Sequence, residues 1–444
     1  MVRFDQAIPA ALSLLEAKFA GEENFPRTHI VRDIAGTIVV VVADHALHED
    51  EDWNQFAKQL YEALGVYSAG DTRVLLRESD LIDADEIIAS PDKIALDLPN
   101  AWLIDRLLTN QDWVRQPILR APRVPTAVAY SVKGGVGRST AFSMLAWYLA
   151  RKGMKVLVVD LDLEAPGIGA MLLSELPQNG LVDWLVESMS GQGTLDFLEA
   201  AIGVAPLAHD AEGSIRILPA YGSESKNYIS KLGRVYASSF DADGKLIGLA
   251  ERLDDLLFAI MDLAEPPDVI LLDSRAGLHD IGSAAVTRLG AEAFLFARND
   301  DQDWWAYQQL FEHLRLSKSV SKGMGDDDDL RWKLKMVGAQ TAPNDKARSD
   351  WIDRAYSEWI GFYDDESVAP DLDFAPVVFG KQDSEAPHSP IFINFDTGVR
   401  SLSLHEVELR PNWEFVQAIF GDFFAGAEQR LFPSDLTGRL AGSL

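Results

Sequence analysis

A glycine-rich loop between an apolar segment and a helical pattern constrains the fold of this chain more than any other feature. The apolar segment covers residues 126–130, the loop covers 131–137, and helical periodicity continues over 139–152. The three glycines of the loop allow backbone N–H groups to turn inward around an anion, and the following helix directs its positive end at the same place. The sequence therefore predicts a strand, a phosphate-binding loop and a helix in succession.

The chain beyond this loop alternates between strand and helix patterns. The predicted strands are 155–160, 214–218, 268–272, 293–297, 335–339 and, at the end, 374–380. Strands separated by helix-length segments favour right-handed crossover connections. We therefore predict an α/β domain over residues 123–444, with a mostly parallel sheet, helices on both faces and a helical segment near its carboxyl end.

Residues 1–122 have a different pattern. The predicted elements are helices at 10–19, 53–64 and 102–113 and strands at 36–43 and 74–76. Pro117, Pro122 and Pro125 then interrupt the chain before the glycine loop. This predicts a small α+β module whose role the sequence leaves open.

Charge and cysteine content exclude several function classes. The 444 residues include 40 Lys and Arg against 69 Asp and Glu, a net charge of −29 that repels nucleic-acid backbones and anionic lipid surfaces. We therefore expect no non-specific DNA binding. Cysteine is absent from this sequence, which excludes thiolate metal sites, iron–sulfur ligation and cysteine nucleophiles. No stretch approaches about twenty uncharged apolar residues, so we expect a cytoplasmic protein without integral membrane association.

Two apolar segments end in aspartates that are candidates for a magnesium site. The first ends in Asp160 and Asp162, spaced so that both side chains point to the same side of a strand. The second is apolar up to Asp273, as expected of a parallel strand buried on both faces. Carboxylates at strand ends beside a phosphate loop can hold Mg²⁺ through water and orient an attacking water. The pattern predicts a site for a metal-bound triphosphate.

The loop sequence VKGGVGRST, residues 132–140, resembles the deviant Walker A motif of the ParA/MinD family of P-loop ATPases, K-G-G-x-G-K-[ST]-T, in the SIMIBI class. The resemblance implies that Lys133 reaches the partner's bound phosphates in an ATP-dependent homodimer. It also implies that Ser139 ligates Mg²⁺ and that the hydroxyl of Thr140 contacts the α-phosphate. The remaining residues of the implied ATP-binding loop are Gly134, Gly135, Val136, Gly137 and Arg138.

The resemblance also assigns the acidic residues and a base contact. It implies that Asp162 serves the lytic water, that Asp160 supports the metal, and that Asp273 has the Walker B role toward Mg²⁺. Gln340 follows a late strand and is the first candidate for the adenine contact, with Asn344 after it. No N-K-x-D or T-K-x-D guanine-reading motif is present, which favours ATP over GTP.

Two departures from the family pattern add arginines. Arg138 replaces the usual loop lysine, and its planar fork is bulkier than a compact ammonium group. We expect nucleotide binding to persist, with the rate of hydrolysis left open. Arg275 replaces proline in a segment that is similar to the family's D-S-P-A-G variant. A surface position and a position at the dimer seam remain alternatives for this arginine.

These features together predict an ATP- and Mg²⁺-dependent switch ATPase of ParA/MinD type that dimerises and controls an unidentified protein partner or assembly. Lys133, Arg138 and Asp162 are the expected catalytic residues. Two alternatives remain. The first is a nucleotide-binding regulatory or scaffold subunit with low turnover, and the second is a DNA-segregation ATPase.

Overall fold

A computed structural model describes most of the chain. The described residues are 2–20, 25–46, 50–71, 73–90, 92–118, 120, 124–240, 246–317, 319–320, 324, 328–363, 379–401, 404–406 and 409–433. They divide into two compact units, Met1–Arg115 with Leu316–Lys318, and Gln116–Arg315 with Ser319–Leu444. The predicted boundary at residue 122 and residues 374–378 of the last predicted strand lie outside the described residues.

The first unit contains a five-stranded mixed sheet. Its strands are β1 (Thr28–Arg32), β2 (Ile38–Val42), β3 (Leu75–Arg77), β4 (Lys93–Ala95) and β5 (Ala101–Asp105), in the order β3-β2-β1-β5-β4. Its helices are α1 (Phe4–Lys18), α2 (Asp50–Leu64) and α3 (Ala84–Ile88). Apolar residues of α1 and α2 pack with those of β1 and β2 in one core. The two predicted helices at 10–19 and 53–64 and both predicted strands are therefore confirmed.

The predicted helix at 102–113 is wrong. Residues 101–105 form β5, which pairs in parallel with β1. Trp102 stacks on His29 with ring centroids 5.1 Å apart, and Arg32 forms an ion pair with Asp105 across the two strands. These cross-strand contacts stabilise a strand whose apolar spacing also suits a helix, because tertiary pairing outweighs local periodicity in so short a segment.

The second unit is built on an eight-stranded sheet in the order β15-β14-β13-β6-β12-β7-β9-β8. The strands are β6 (Thr126–Ser131), β7 (Lys155–Leu161), β8 (Gly203–Val204), β9 (Ser214–Leu218), β12 (Val269–Ala276), β13 (Glu292–Ala297), β14 (Leu334–Thr341) and β15 (Ile391–Asn394), and β10 (Ser239–Phe240) and β11 (Leu246–Ile247) form a separate pair. Every neighbouring pair in the large sheet is parallel except β8 with β9. The predicted mostly parallel sheet is confirmed.

Helices cover both faces of this sheet. They are α4 (Arg138–Arg151), α5 (Ile168–Leu172), α6 (Leu181–Ser188), α7 (Leu195–Ala200), α8 (Tyr228–Val235), α9 (Leu249–Met261), α10 (Asp280–Ser283), α11 (Asp301–Leu314), α12 (Leu330–Lys333), α13 (Asp345–Tyr363) and α14 (Trp413–Leu431). Helix α4 packs with Ala129 on one face, while Gly282 of α10 lies against the ring of Tyr130 on the other. The predicted α/β fold is thus confirmed. None of the helices in the described part of the chain combines the length and apolarity needed to cross a bilayer.

Phe423 joins helix α14 to the centre of the sheet. Its side chain is fully buried, and its ring lies 5.7 Å from the rings of Phe294 and Phe296 and 6.5 Å from that of Phe142 in α4. Since α4 begins at the glycine loop, this aromatic cluster supports the element that carries the loop.

We expect Phe423→Ala to lower the free energy of unfolding by about 3–5 kcal/mol, because it removes a fully buried ring and leaves a cavity. Urea unfolding followed by fluorescence would measure the change. Ile360→Ala is the control, since Ile360 lies on α13 with 48% of its surface exposed and should cost less than about 1 kcal/mol. Equal losses in the two variants would contradict the packing role of Phe423.

Candidate nucleotide site

The glycine loop connects β6 to α4 and lines open space. Gly135 and Gly137 have φ of +75° and +95°, a backbone conformation that side chains other than glycine rarely adopt. A Cβ atom built on Gly134, Gly135 or Gly137 would meet no other atom within 4 Å. The N–H groups of these glycines form no hydrogen bond with an acceptor in the described part of the chain. The loop is therefore an open concave surface of free backbone donors at the start of a helix.

Asp160 and Asp273 lie side by side at the carboxyl ends of neighbouring strands. The two residues are directly paired in the register of β7 and β12, and each is at most 2% exposed. Asp160 Oδ1 accepts a hydrogen bond from the N–H of Asp162 (3.1 Å), and its Oδ2 accepts one from the N–H of Gly169 (3.5 Å). Because β6 adjoins β12, this acidic edge lies beside the strand that leads into the glycine loop.

Burial makes this pair of carboxylates costly to ionise. It raises the pKa of Asp273 to about 6, and a hydrogen bond with the Ser139 side chain and the charge of Arg138 act in the opposite direction. Burial and the charge of Asp273 together raise the pKa of Asp160 well above its ordinary value. Asp273 Oδ1 is buried and has no hydrogen-bond partner among the described residues. A cation at this oxygen would offset the cost of the buried charge.

The donor set at this place fits Mg²⁺. Carboxylate and hydroxyl oxygens are the ligands that Mg²⁺ prefers, and the ion usually keeps several waters and phosphate oxygens in its coordination shell. Asp273 and Ser139 supply one oxygen of each type, and the Ser139 side chain lowers the pKa of Asp273. The described residues contain no group of three or more His, Cys, Asp or Glu side chains that could hold a metal. Asp273 and Ser139 would therefore form only part of the coordination shell of an Mg²⁺ ion.

The raised pKa of Asp273 predicts that the binding of Mg²⁺ at this carboxylate, with a nucleotide such as ADP, would depend on pH. Metal binding requires the ionised carboxylate, so affinity should fall as pH drops below about 6, by up to tenfold per pH unit. Calorimetric titration with Mg²⁺·ADP at about pH 5 and about pH 7 would measure this. Asp273→Asn should bind more weakly and lose this part of the dependence. An equal pH slope in both proteins would show that another group titrates.

Arg138 points into the site from the first turn of α4. Its Nη1 donates a hydrogen bond to Ser131 Oγ (2.8 Å), which in turn donates to the backbone oxygen of Lys133 (2.5 Å). The side chain is only 9% exposed, and its charge opposes the rise in the pKa values of Asp162 and Asp273. The guanidinium group therefore lies between the glycine loop and the acidic edge.

Lys133 differs from Arg138 in that its side chain is exposed. Burial raises the pKa of Asp303 at the start of α11, and the nearby charge of Lys133 partly offsets that rise. Asp303 itself accepts a hydrogen bond from the N–H of Arg298 (2.7 Å). Lys133 thus lies at the outer rim of the loop, where its ammonium group is accessible.

Asp162 directly follows β7 and adjoins the acidic edge formed by Asp160 and Asp273. It is half-buried, and its Oδ1 accepts a hydrogen bond from the N–H of Ala165 (3.2 Å). Burial raises its pKa, and the charges of Arg138 and Arg275 partly offset this effect. Arg275 is anchored by an ion pair with Glu164, 3.0 Å between Nη1 and Oε2. Asp162 is therefore an accessible carboxylate with guanidinium groups nearby.

A cleft opens next to the glycine loop. It is lined by Val136, Gly137, Thr140, Gln340, Ile393, Asn394, Phe395, Asp396, Val399, Ile419 and Phe420. Gln340 has a φ of +52°, and its Nε2 donates to the backbone oxygen of Gly135 (2.9 Å). Asn344 is not among the lining residues. Its side chain accepts from the N–H of Ala347 at the start of α13.

The sequence interpretation missed the segment 393–399. This segment begins in β15, a strand of only four residues, and no composition or spacing signal distinguishes it from a loop. Of the predicted site residues, Val136, Gly137, Thr140 and Gln340 line the cleft, while Asp160 and Asp273 lie on the strands beside the glycine loop.

Comparison with known proteins identifies the motif-bearing segment. The family described as "ParA: NUBPL iron-transfer P-loop NTPase" matches residues 125–184. Residues 125–184 are therefore similar in sequence to a ParA-type P-loop NTPase. The predicted resemblance is confirmed over this segment, which contains the glycine loop, Asp160 and Asp162. Because the sequence contains no cysteine, it has no thiolates for the iron transfer in that family's description. No curated protein matches the sequence significantly.

Several solved structures resemble the chain that carries the ParA-type segment. A ParA family ATPase from Chlorobium tepidum TLS is 16% identical, with 70% of this chain and 99% of that chain covered and a TM-score of 0.40. A putative plasmid partition protein from Borrelia burgdorferi B31, bound to AMPPNP, is 10% identical, with coverage of 69% and 99% and a TM-score of 0.39. McdA from Cyanothece, in complex with ATP, is 14% identical, with coverage of 70% and 97% and a TM-score of 0.40. These similarities are low in sequence and in structure.

Proposed function

We propose that this protein is an ATP- and Mg²⁺-dependent molecular-switch ATPase whose homodimer closes on ATP and reopens on hydrolysis. The observation that carries the proposal is the open glycine loop before α4, with the Arg138 guanidinium bonded to Ser131 at the start of the loop and the Asp160–Asp273 pair on the adjoining strands. Phosphoryl transfer depends mainly on positioning and on neutralising charge, and these groups can do both. Such a cycle would alternate between two states with different exposed surfaces, and a protein partner can recognise one of these states.

The phosphate groups would lie on the free N–H groups of the loop. Arg138 would add positive charge beside them, and the Thr140 hydroxyl would lie at the α-phosphate. Ser139 and Asp273 would hold Mg²⁺, with Asp160 supporting the ion from the neighbouring strand. The ion would neutralise charge on the phosphates. Asp162 would orient the attacking water.

The cleft beside the loop suits the base of the nucleotide. It adjoins Gly137 and Thr140, and its lining includes Phe395, which is 43% exposed. An exposed aromatic ring can stack on a purine, while side-chain amides of Gln340 and Asn394 can hydrogen-bond to its edge. We propose this cleft as the adenine site.

The proposal is tested by two measurements on the full chain. Sedimentation velocity with Mg²⁺ and ATP or AMPPNP should give a dimer, while Mg²⁺·ADP should give a monomer. Phosphate release should depend on both ATP and Mg²⁺. The proposed function would be excluded if the protein bound neither ATP nor AMPPNP.

A regulatory subunit with low turnover is the second candidate, and the position of Arg138 favours it. The guanidinium group is buried and already bonded to Ser131, so it is less free to follow the phosphates than a lysine would be. In this case ATP would drive dimerisation without measurable phosphate release. Replacing Arg138 with lysine would then increase release, which distinguishes a slow switch from an inactive one.

A further inference from the structure

Arg275 lies in the site but has no role in the mechanism proposed above. It follows Asp273 by two residues, at the end of β12. Its Nη1 lies 3.0 Å from Oε2 of Glu164, and Glu164 follows Asp162 by two residues beyond the end of β7. The ion pair therefore connects the two strand ends that carry the proposed metal and water carboxylates.

Glu164 is itself held by groups from two other elements. The Tyr236 hydroxyl, just beyond α8, donates to Oε1 of Glu164. His279 Nε2 lies 3.6 Å from the same oxygen, and the rings of Tyr236 and His279 pack edge to face with centroids 5.1 Å apart. Glu164 is 19% exposed, whereas 34% of the Arg275 side chain remains exposed. Glu164 is thus fixed through Oε1, while its Oε2 lies within ion-pair distance of the partly exposed Arg275 without a hydrogen bond between them.

The charge of Arg275 also influences Asp162, the residue proposed to orient the attacking water, by lowering its pKa. The base cleft adjoins Gly137 and Thr140, and the charge of Arg138, in the first turn of α4, lowers the pKa values of Asp162 and Asp273. A triphosphate that extends from the cleft across the loop ends beside these carboxylates. The charge of Arg275 already acts on Asp162, together with that of Arg138.

We propose that Arg275 is a catalytic residue that contacts the γ-phosphate of ATP bound to its own chain, and that Glu164 is the positioning residue that directs it. This inference rests on the proposed ATPase function. Water forms a bond to the γ-phosphorus while the bond to the bridging oxygen breaks and its electron pair leaves on ADP. One proton of the water stays on the phosphate, and the other passes to the Asp162 carboxylate and then to solvent. Arg275 stabilises the charge that builds up on the transferring oxygens.

The test replaces Arg275 and separates turnover from binding. We expect Arg275→Ala to lower kcat for phosphate release by about 10³-fold while changing KM and the affinity for Mg²⁺·ADP by less than about threefold. Retained ADP affinity shows that the variant is folded. The variant should also lose capture of ADP by aluminium fluoride, and added guanidinium ion should restore part of kcat. Glu164→Gln should lower kcat by about tenfold with KM unchanged, because the anchor loses its charge.

Arg354→Ala is the matched control. Arg354 is 37% exposed and forms an ion pair with Glu358 (2.5 Å), but it lies on α13. This variant should keep kcat and show no response to guanidinium. The inference is overturned if kcat of Arg275→Ala stays within about threefold of the wild-type value. It is also overturned if added guanidinium ion restores none of the lost kcat. If the wild-type protein binds ATP but does not hydrolyse it, kcat cannot be compared. In that case, loss of ADP capture by aluminium fluoride in Arg275→Ala supports the inference, and retained capture overturns it. Failure of the wild-type protein to bind ATP at all would instead exclude the proposed function.

Discussion

Asp162→Ala is expected to lower phosphate release by at least about 100-fold while the ATP-bound dimer accumulates. Positioned general bases contribute about 10²–10⁴-fold to such reactions, and the half-buried Asp162 carboxylate is the most accessible of the three acidic groups in the site. The change leaves the glycine loop, Ser139 and Asp273 in place, so nucleotide and metal should still bind. Single-turnover phosphate release and sedimentation with ATP would measure the two effects on the same sample.

The control for this variant is Asp353→Ala. Asp353 is a carboxylate of α13 that pairs with Lys381 at 2.8 Å and is 52% exposed. It should leave both release and dimerisation unchanged. Normal hydrolysis by Asp162→Ala would show that the water is oriented by another group. Loss of ATP binding would instead show that Asp162 holds the metal or the loop.

The central part of the fold follows from local sequence signals. The predicted strands at 155–160 and 214–218 and the helix at 139–152 agree with β7, β9 and α4 to within about a residue at each end. They could be predicted because long apolar runs in a parallel sheet and a glycine loop before a helix are unambiguous patterns. The same signals placed Asp160 and Asp273 at strand ends, which makes them neighbours once the strands pair.

Other features depend on contacts that no local pattern encodes. Strand β1 was not predicted, and β5 was predicted as helix, because each is defined by pairing with the other. The base cleft depends on residues 393–399, which are separated from the loop by more than half of the domain in sequence. The orientation of Arg138 toward Ser131 and the anchoring of Arg275 by Glu164 are side-chain geometries. In the sequence, Arg138 and Arg275 are recognisable only as departures from a motif. Their partners, Ser131 and Glu164, are defined by the packing of the folded chain.

We propose that ATP-dependent dimerisation involves Lys133, whose side chain is exposed at the rim of the loop. We expect Lys133→Ala to weaken ATP-dependent dimerisation by about 10²–10⁴-fold. In a symmetric dimer each lysine would donate to a phosphate bound by the other chain, and two hydrogen bonds to charged groups contribute about 3–6 kcal/mol together. Folding should be unaffected, since the side chain supports no packing. Sedimentation velocity with Mg²⁺·AMPPNP over a range of protein concentrations would measure the dissociation constant.

Lys155→Ala is the matched control for the dimerisation measurement. Lys155 is an exposed lysine at the first residue of β7, at the opposite end of the strand from Asp160. Its removal changes the net charge equally, so a general electrostatic effect on association would appear in both variants. A loss confined to Lys133→Ala, with nucleotide affinity retained by the monomer, is the result expected if this lysine acts between chains. An unchanged dimer in that variant would place the subunit contact elsewhere on the protein, and the ATP-closed homodimer would then have to be abandoned even if hydrolysis by the single chain persists.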